Sequence, residues 1–293
     1  MNQEKSPKKS QAKQKTSRKR SGAKQDKSQP NIVIMDSIIM GTGGGRRSQR
    51  NTVEDAQDIM YQAWEAPTLK KAIALAKKAL TVSPDCADAY NLLADYTAKS
   101  LEEAYNLYRQ GVEAGERALG EKTFVEDVGY FWGILETRPY MRARAGLAKC
   151  LWKLGQREAA VEHYWDMLRL NPGDNQGIRD SLMLCLIILG RDKDAEKLFK
   201  QFKDDGMAMW LYSRTLLDFR KHGDNPKSDK SLKAALEENL HVPDYLLGRK
   251  KLPQNLPGYY GWGDDNEAVL YVHENLAAWK TTPESLEWLA SKV

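Results

Sequence analysis

The sequence predicts an all-α fold of stacked helical hairpins, and three observations carry that reading. Beyond residue 50, apolar residues recur at three and four, as in Thr68-Leu69-Lys70-Lys71-Ala72-Ile73-Ala74-Leu75-Ala76-Lys77-Lys78-Ala79-Leu80. Strand-like alternation is nearly absent there. Small residues also recur inside the helical segments, with a Pro near the end of a unit at Pro84 and again at Pro172.

The folded part starts close to Asn51-Thr52, where Thr52 with Asp55 three residues later makes a helix start. The helix over 68–80 stops at Thr81-Val82-Ser83-Pro84. The spacing fits the tetratricopeptide pattern, whose period is about 34 residues. The best unit ends at Asn171-Pro172, with Leu147-Ala148 in its first helix, Gly155 in the turn, Ala160 as the small residue and Tyr164 as the aromatic. Before Pro84, Ala72 and Ala79 take the small positions and Ala76 replaces the aromatic. Looser units run from Asp88 to Gly111 (Leu93-Ala94, Ala104, Tyr108), from Asn175 to Phe202 (Gly190, Ala195, Phe199) and from Trp210 to Ala235, the last with a longer turn at His222-Gly223-Asp224-Asn225-Pro226. A small residue at a crossing lets two helices approach closely, and each hairpin leaves an apolar face for the next to cover. About five hairpins are expected, forming a tetratricopeptide-like helical-hairpin solenoid.

The flanks differ from this body. Residues 1–30 carry ten basic side chains against Glu4 and Asp26, a charge of +8, while the whole chain sums to +5. The cationic character therefore belongs to the tail. With almost nothing apolar to bury, residues 1–50 are expected to be a disordered basic tail with a Gly-rich linker at 41–45. The apolar segment 32–40 within it reads as a strand or a short docking segment. Repeats are expected over 51–239 and a divergent capping segment over 240–293, with Trp262, Trp279 and Trp288 as capping and core residues. The longest apolar run is about nine residues, far short of the ~20 a membrane helix needs, and no signal peptide is expected. Cys86, Cys150 and Cys185 are widely spaced, which fits buried thiols in a reducing compartment.

The C-terminal half carries a resemblance. Residues 141–155 (Met-Arg-Ala-Arg-Ala-Gly-Leu-Ala-Lys-Cys-Leu-Trp-Lys-Leu-Gly) look like a repeat helix, and Asn239-Leu240-His241-Val242-Pro243-Asp244-Tyr245-Leu246-Leu247 follows further on. A Leu-Pro segment, then Gly263-Asp264-Asp265-Asn266-Glu267-Ala268 and a helix ending Ala277-Ala278-Trp279-Lys280, complete an ordered set of motifs. Over about 141–293 these resemble the suppression-of-tumorigenicity family. The resemblance implies a tetratricopeptide-like fold and a binding role, and supplies no catalytic residues. The family's N-terminal membrane segments are not expected here, where a basic tail stands instead.

No constellation for chemistry emerges. His163, His222, His241 and His273 lie in no zinc-ligand spacing, so they read as structural. Gly41-Thr42-Gly43-Gly44-Gly45 lacks the G-K-[ST] ending of a phosphate loop and reads as a linker. Glu102-Glu103, Asp204-Asp205 and Asp264-Asp265 are adjacent pairs, and neighbours on a helix point about 100° apart, so none forms a catalytic pair. No catalytic, metal or cofactor residue is expected, and the chain reads as no enzyme.

The expected function is a protein–protein interaction scaffold that binds a partner segment on the concave face, which the first helix of each unit lines. Asn91, Arg142, Lys149, Trp152, Lys153 and Arg179 are the candidate groove residues. Four cations with an amide donor suit an acidic peptide or a C-terminal carboxylate, and Trp152 offers apolar contact. The alternative is a nucleic-acid-associated protein acting through the tail cations Lys8, Lys9, Arg18, Lys19 and Arg20, whose clusters also resemble a bipartite nuclear import signal. A cytoplasmic location is expected, or a nuclear one in a eukaryote, with no membrane partner.

Overall fold

A computed structural model describes residues 52–293. The tail cations Lys8, Lys9, Arg18, Lys19 and Arg20, the segment 32–40 and the linker 41–45 lie outside the described residues. Within them the chain forms thirteen α-helices and no strand. Five hairpins follow in order: α1 (Val53–Trp64) with α2 (Leu69–Val82), α3 (Ala87–Thr97) with α4 (Leu101–Glu126), α5 (Arg138–Lys153) with α6 (Arg157–Leu170), α7 (Ile178–Ile188) with α8 (Asp192–Gln201), and α9 (Ala208–His222) with α10 (Pro226–Glu238). Each hairpin packs its second helix on the first helix of the next. This is the tetratricopeptide-like all-α arrangement. No described helix is long and apolar enough to cross a membrane, and Cys86, Cys150 and Cys185 are buried free thiols.

Local chemistry sets the ends. Thr52 and Asp55 cap α1 reciprocally, with Asp55 N donating to Thr52 Oγ1 (3.1 Å) and Thr52 N to Asp55 Oδ2 (3.2 Å). Thr68, Ser100 and Asn225 cap α2, α4 and α10. Two hairpin turns share one device. Gly155 and Gly190 sit at φ 80° and 67°, while Gln156 N donates to Leu151 O (2.9 Å) and Arg191 N to Leu186 O (2.8 Å). That six-to-one closure needs a left-handed residue, so a Gly stands at each.

The small residues hold the crossings. Ala72, Ala76, Ala79, Ala160, Ala195 and Ala235 are fully buried. Substituting Ala160 with Leu overfills the α5–α6 crossing and is expected to cost about 1–3 kcal/mol, read as a drop in the urea midpoint at unchanged slope. The second hairpin departs from the expected register. Ala104 is only half-buried, and the close approach of α4 to α5 rests on glycines instead. A Cβ at Gly111 would lie 3.1 Å from Ala143 Cβ, and one at Gly115 would lie 2.8 Å from Tyr140 Cβ. Helix α4 also runs past Gly111, with a break at Gly120. An insertion then follows, in which Gly129 N and Phe131 N both donate to Leu170 O at the end of α6 (3.0 and 3.2 Å). Buried Phe131 packs on Phe124 and Tyr140.

The apolar core comes in two pieces. One joins α1, α2 and α3 through Ala56, Met60, Ala76 and Leu92. The other extends from Val112 of α4 to Leu289. Between them runs a polar seam, in which Arg117 bonds Asp85 (2.7 Å), Tyr108 donates to Asp95, and Arg142 bonds Asp88.

The last three helices are α11 (Val242–Leu246), α12 (Asp265–Thr281) and α13 (Ser285–Lys292). Helix α12 packs on α7 and α9, and α13 packs on α9. Trp279 and Trp288 are buried, Trp279 donating to the Tyr271 hydroxyl (2.8 Å) and Trp288 stacking on Phe219 (4.6 Å). Trp262 is not a core residue: it is 62% exposed. The reason is its place in the long connection 247–264, whose backbone runs over the surface instead of entering the helix stack.

One carboxylate ties this segment to the hairpins. Buried Glu267 accepts from Ala208 N at the start of α9 (2.9 Å), from Asn239 Nδ2 (2.9 Å) and from Gly263 N (2.8 Å). Asn239 also donates to Asp264 O (3.0 Å) and accepts from His241 N (3.0 Å). Gly263 is required there, because its φ is 72° and a Cβ would meet Glu238 O at 2.7 Å.

Candidate functional site

The first helices α1, α3 and α5 share one face, and Asp88 is its hub. Its side chain is 1% exposed. It accepts from Gln57 Nε2 of α1 (2.9 Å), from Asn91 Nδ2 (3.1 Å), and from Arg142 Nε and Nη2 of α5 (2.9 and 2.6 Å). The bidentate fork fixes the guanidinium plane. That plane lies 5.4 Å from the Trp64 ring centre, and Trp64 meets Tyr61 edge-on at 5.6 Å. Tyr61 is half exposed. Burial raises its hydroxyl pKa, the charge of Asp88 adds, and Arg142 opposes.

Arg142, Lys149 and Lys153 follow at seven and four residues along α5, so they form one stripe. Lys149 and Lys153 are exposed. Between them and α3, Tyr108 packs on Gly146, where a Cβ would lie 2.2 Å from its ring. Burial raises the Asp95 pKa, while the Tyr108 hydrogen bond and Lys149 lower it.

The structure thus puts Arg142, Lys149 and Lys153 on one stripe, joins Asn91 to Arg142 through Asp88, and sets Trp152 and Arg179 apart. Asn91 is buried, with its amide nitrogen bonded to Asp88 and to Pro139 O (3.0 Å). It acts as a strut between α3 and α5. Trp152 lies about 80° around α5 from the Arg142 stripe, half-buried, with Arg157 over its ring at 5.3 Å. Arg179 of α7 bonds Asp205 (2.8 Å) and Asp174 (3.1 Å), lies 4.0 Å from Asp180, and rests on the Phe202 ring at 5.3 Å. Three carboxylates around one guanidinium make that end of the face acidic.

The chain's own helix α12 covers the α7–α9 part of the face. Burial raises the pKa of Glu274 on α12, while Lys149 lowers it. A cap over 240–293 is expected from sequence, but its seat on α7 and α9 has no local signal, because those helices lie far apart in the chain. A feature that sequence missed is an open cleft of ≈ 740 Å³ lined by Glu113, Glu116, Arg117, Phe124, Tyr140 and Arg144 among others. There Arg144 donates to the Tyr140 hydroxyl (2.8 Å), to His163 Nδ1 (3.1 Å) and to Asp166. Burial, then Arg144, lowers the His163 pKa. Among the described residues no group of three His, Cys, Asp or Glu could hold a metal.

The hairpin stack with its polar first-helix face defines a protein of the tetratricopeptide-like helical-repeat class. The profile described as ST7 protein matches residues 48–292, and the chain belongs to that family. It is 26% identical over 253 residues to the bovine suppressor of tumorigenicity 7 protein-like, covering 79% of this chain and 45% of the relative. The human counterpart is 27% identical, with 79% and 44% covered. The suppressor of tumorigenicity 7 protein of Macaca fascicularis is 26% identical over 280 residues, with 80% and 52% covered. The chain spans about half the length of the curated relatives it matches. A crystal structure described as YrrB, a TPR protein with an unusual peptide-binding site, is similar at TM-score 0.44 and 22% identity, over 63% of this chain and 83% of that one.

Proposed function

We propose that this protein is a protein–protein interaction scaffold, a binding rather than a catalytic chain, which holds a partner segment across α1, α3 and α5. One observation carries the reading. The first-helix face is covered by α12 over α7 and α9, yet over α1, α3 and α5 it presents Tyr61, Trp64 and the Arg142–Lys149–Lys153 stripe. An aromatic platform with adjacent cations suits a peptide that brings both an apolar side chain and a carboxylate. Arg142 contributes its stacked plane, because Asp88 takes its charge. Lys149 and Lys153 supply the anion contact. In domain terms, residues 51–239 provide the repeats, 240–293 the cap, and 1–50 a cationic tail for a second contact.

The test is the charge reversal Lys149→Glu with Lys153→Glu in the full chain. Proteins captured from native extract by the parent should be lost at least about tenfold, which is about 1.4 kcal/mol of binding free energy. The thermal unfolding midpoint should stay in place, because both side chains are exposed. Capture unchanged by the reversal, or abolished by nuclease, sinks this reading and favours nucleic-acid association through the tail.

A further inference from the structure

The connection 247–264 leaves Tyr259 80%, Trp262 62% and Tyr260 47% exposed. Loops this long without regular structure are uncommon in compact units and are most often functional. This one is anchored. Asn266 Nδ2 donates to Tyr259 O (3.1 Å), and Gly261 N donates to Asp264 (2.6 Å). The Trp262 ring lies over Gly206, where a Cβ would come within 2.9 Å of Cζ2. The three rings are thus held open to solvent by fixed backbone. Exposed aromatic rings clustered on one anchored segment mark an interaction site.

Charge decides what it faces. Trp262 on Gly206 stands beside Asp204-Asp205. Burial raises the Tyr260 hydroxyl pKa, Asp180 and Glu267 add to it, Arg179 opposes, and Asp205 adds, so Tyr260 sits in a field with more carboxylates than cations. Arg179 is already held by Asp174 and Asp205. The loop's own Arg249 and Lys250 already pair with Asp244 and Asp265.

We propose that Tyr259, Tyr260 and Trp262, with Asp180 as counter-charge, form a docking surface for a lysine- or arginine-bearing segment of a partner protein. A cation over a Tyr or Trp face is attracted by the ring quadrupole, and a neighbouring carboxylate adds to the attraction. Asp180 is suited to that role. Its pKa is pushed up to about 7 by burial; Arg179 opposes the shift, and Asp205, Asp174 and Glu274 of α12 reinforce it. An arriving cation gives this carboxylate a partner closer than the 4.0 Å of Arg179. The same carboxylates repel phosphates, which disfavours a nucleic acid or an anionic bilayer here.

The experiment is fluorescence polarisation of a labelled peptide of alternating lysine and serine, titrated with the full chain. Binding is expected, and it should weaken about tenfold in the Tyr259→Ala, Trp262→Ala double variant and about threefold in Asp180→Asn. Tyr259→Ala alone, at the most exposed ring, keeps the test open where Trp262→Ala does not fold, and should weaken binding about threefold. Absence of binding by the parent, or equal binding by all variants, overturns the proposal. So does a glutamate–serine peptide or a phosphatidylserine vesicle that binds in place of the lysine peptide and is lost in Tyr259→Ala. Self-association of the parent that vanishes in Tyr259→Ala, without lysine-peptide binding, overturns it in favour of a second copy.

Discussion

Replacing Glu267 with Ala is expected to destabilise the protein by about 3–5 kcal/mol. The carboxylate is buried and takes three donors from three places: Ala208 N at the start of α9, Asn239 Nδ2 after α10, and Gly263 N before α12. Alanine leaves all three donors in a site that water does not reach, and each orphaned donor carries its own desolvation cost. It also removes the negative charge from the start of α9, where the helix dipole favours one. Glu267→Gln keeps the shape but offers one acceptor oxygen in place of two, so about half the loss is expected. Urea unfolding measures both. Hydrogen exchange adds a positional check: residues 239–247 and α12 should open first, while α5 and α6 keep their protection. A Glu267→Ala variant within about 0.5 kcal/mol of the parent, the range of ordinary surface changes, would show that the three contacts do not act as a lock.

What sequence could show follows from how far apart the interacting groups lie. The α5–α6 hairpin was legible, because its turn glycine, its crossing alanine and its terminal proline all act within one unit: Gly155, Ala160 and Pro172. The α12 cover on α7 and α9, and the insertion before α5, were not. Phe131 N and Gly129 N find their acceptor at Leu170, in the next hairpin. The motifs at 239–247 and 263–268 were visible as a family likeness, but their physical role appears only when Asn239, Gly263 and Ala208 meet on one carboxylate. Trp262 misleads for a related reason. Tryptophan is usually buried, and nothing local says that its backbone runs outside the stack. The surroundings of the groove cations were the least legible part. A stripe of Arg and Lys on a helix reads as basic until the acids near it are known, and Asp88 on α3 and Asp205 after α8 come from distant parts of the chain.

Arg142 shows what that difference predicts. As an anion receptor for a partner, it could be replaced with little effect on folding. As the partner of Asp88, it is structural, and Arg142→Met is expected to cost about 2–4 kcal/mol. Methionine keeps the stem over Trp64 but leaves a carboxylate that is 1% exposed with Gln57 and Asn91 as its remaining side-chain donors among the described residues. Losing both charges together costs less than losing one, so Asp88→Asn in the Arg142→Met background should recover about 1 kcal/mol or more, a coupling that a double-mutant cycle reads directly. The damage should also be local. The α1–α3 apolar cluster is separate from the main one and meets it across a polar seam, so α1 to α3 should exchange amide hydrogens faster in Arg142→Met while α7 to α12 do not. Partner capture decides between the two roles. If Arg142→Met lowers capture while the urea midpoint and α1–α3 exchange stay at parental values, Arg142 contacts the partner and the Asp88 fork is incidental. If stability falls first, and Lys149→Glu with Lys153→Glu lowers capture without touching stability, then Arg142 builds the platform and the two lysines read the ligand.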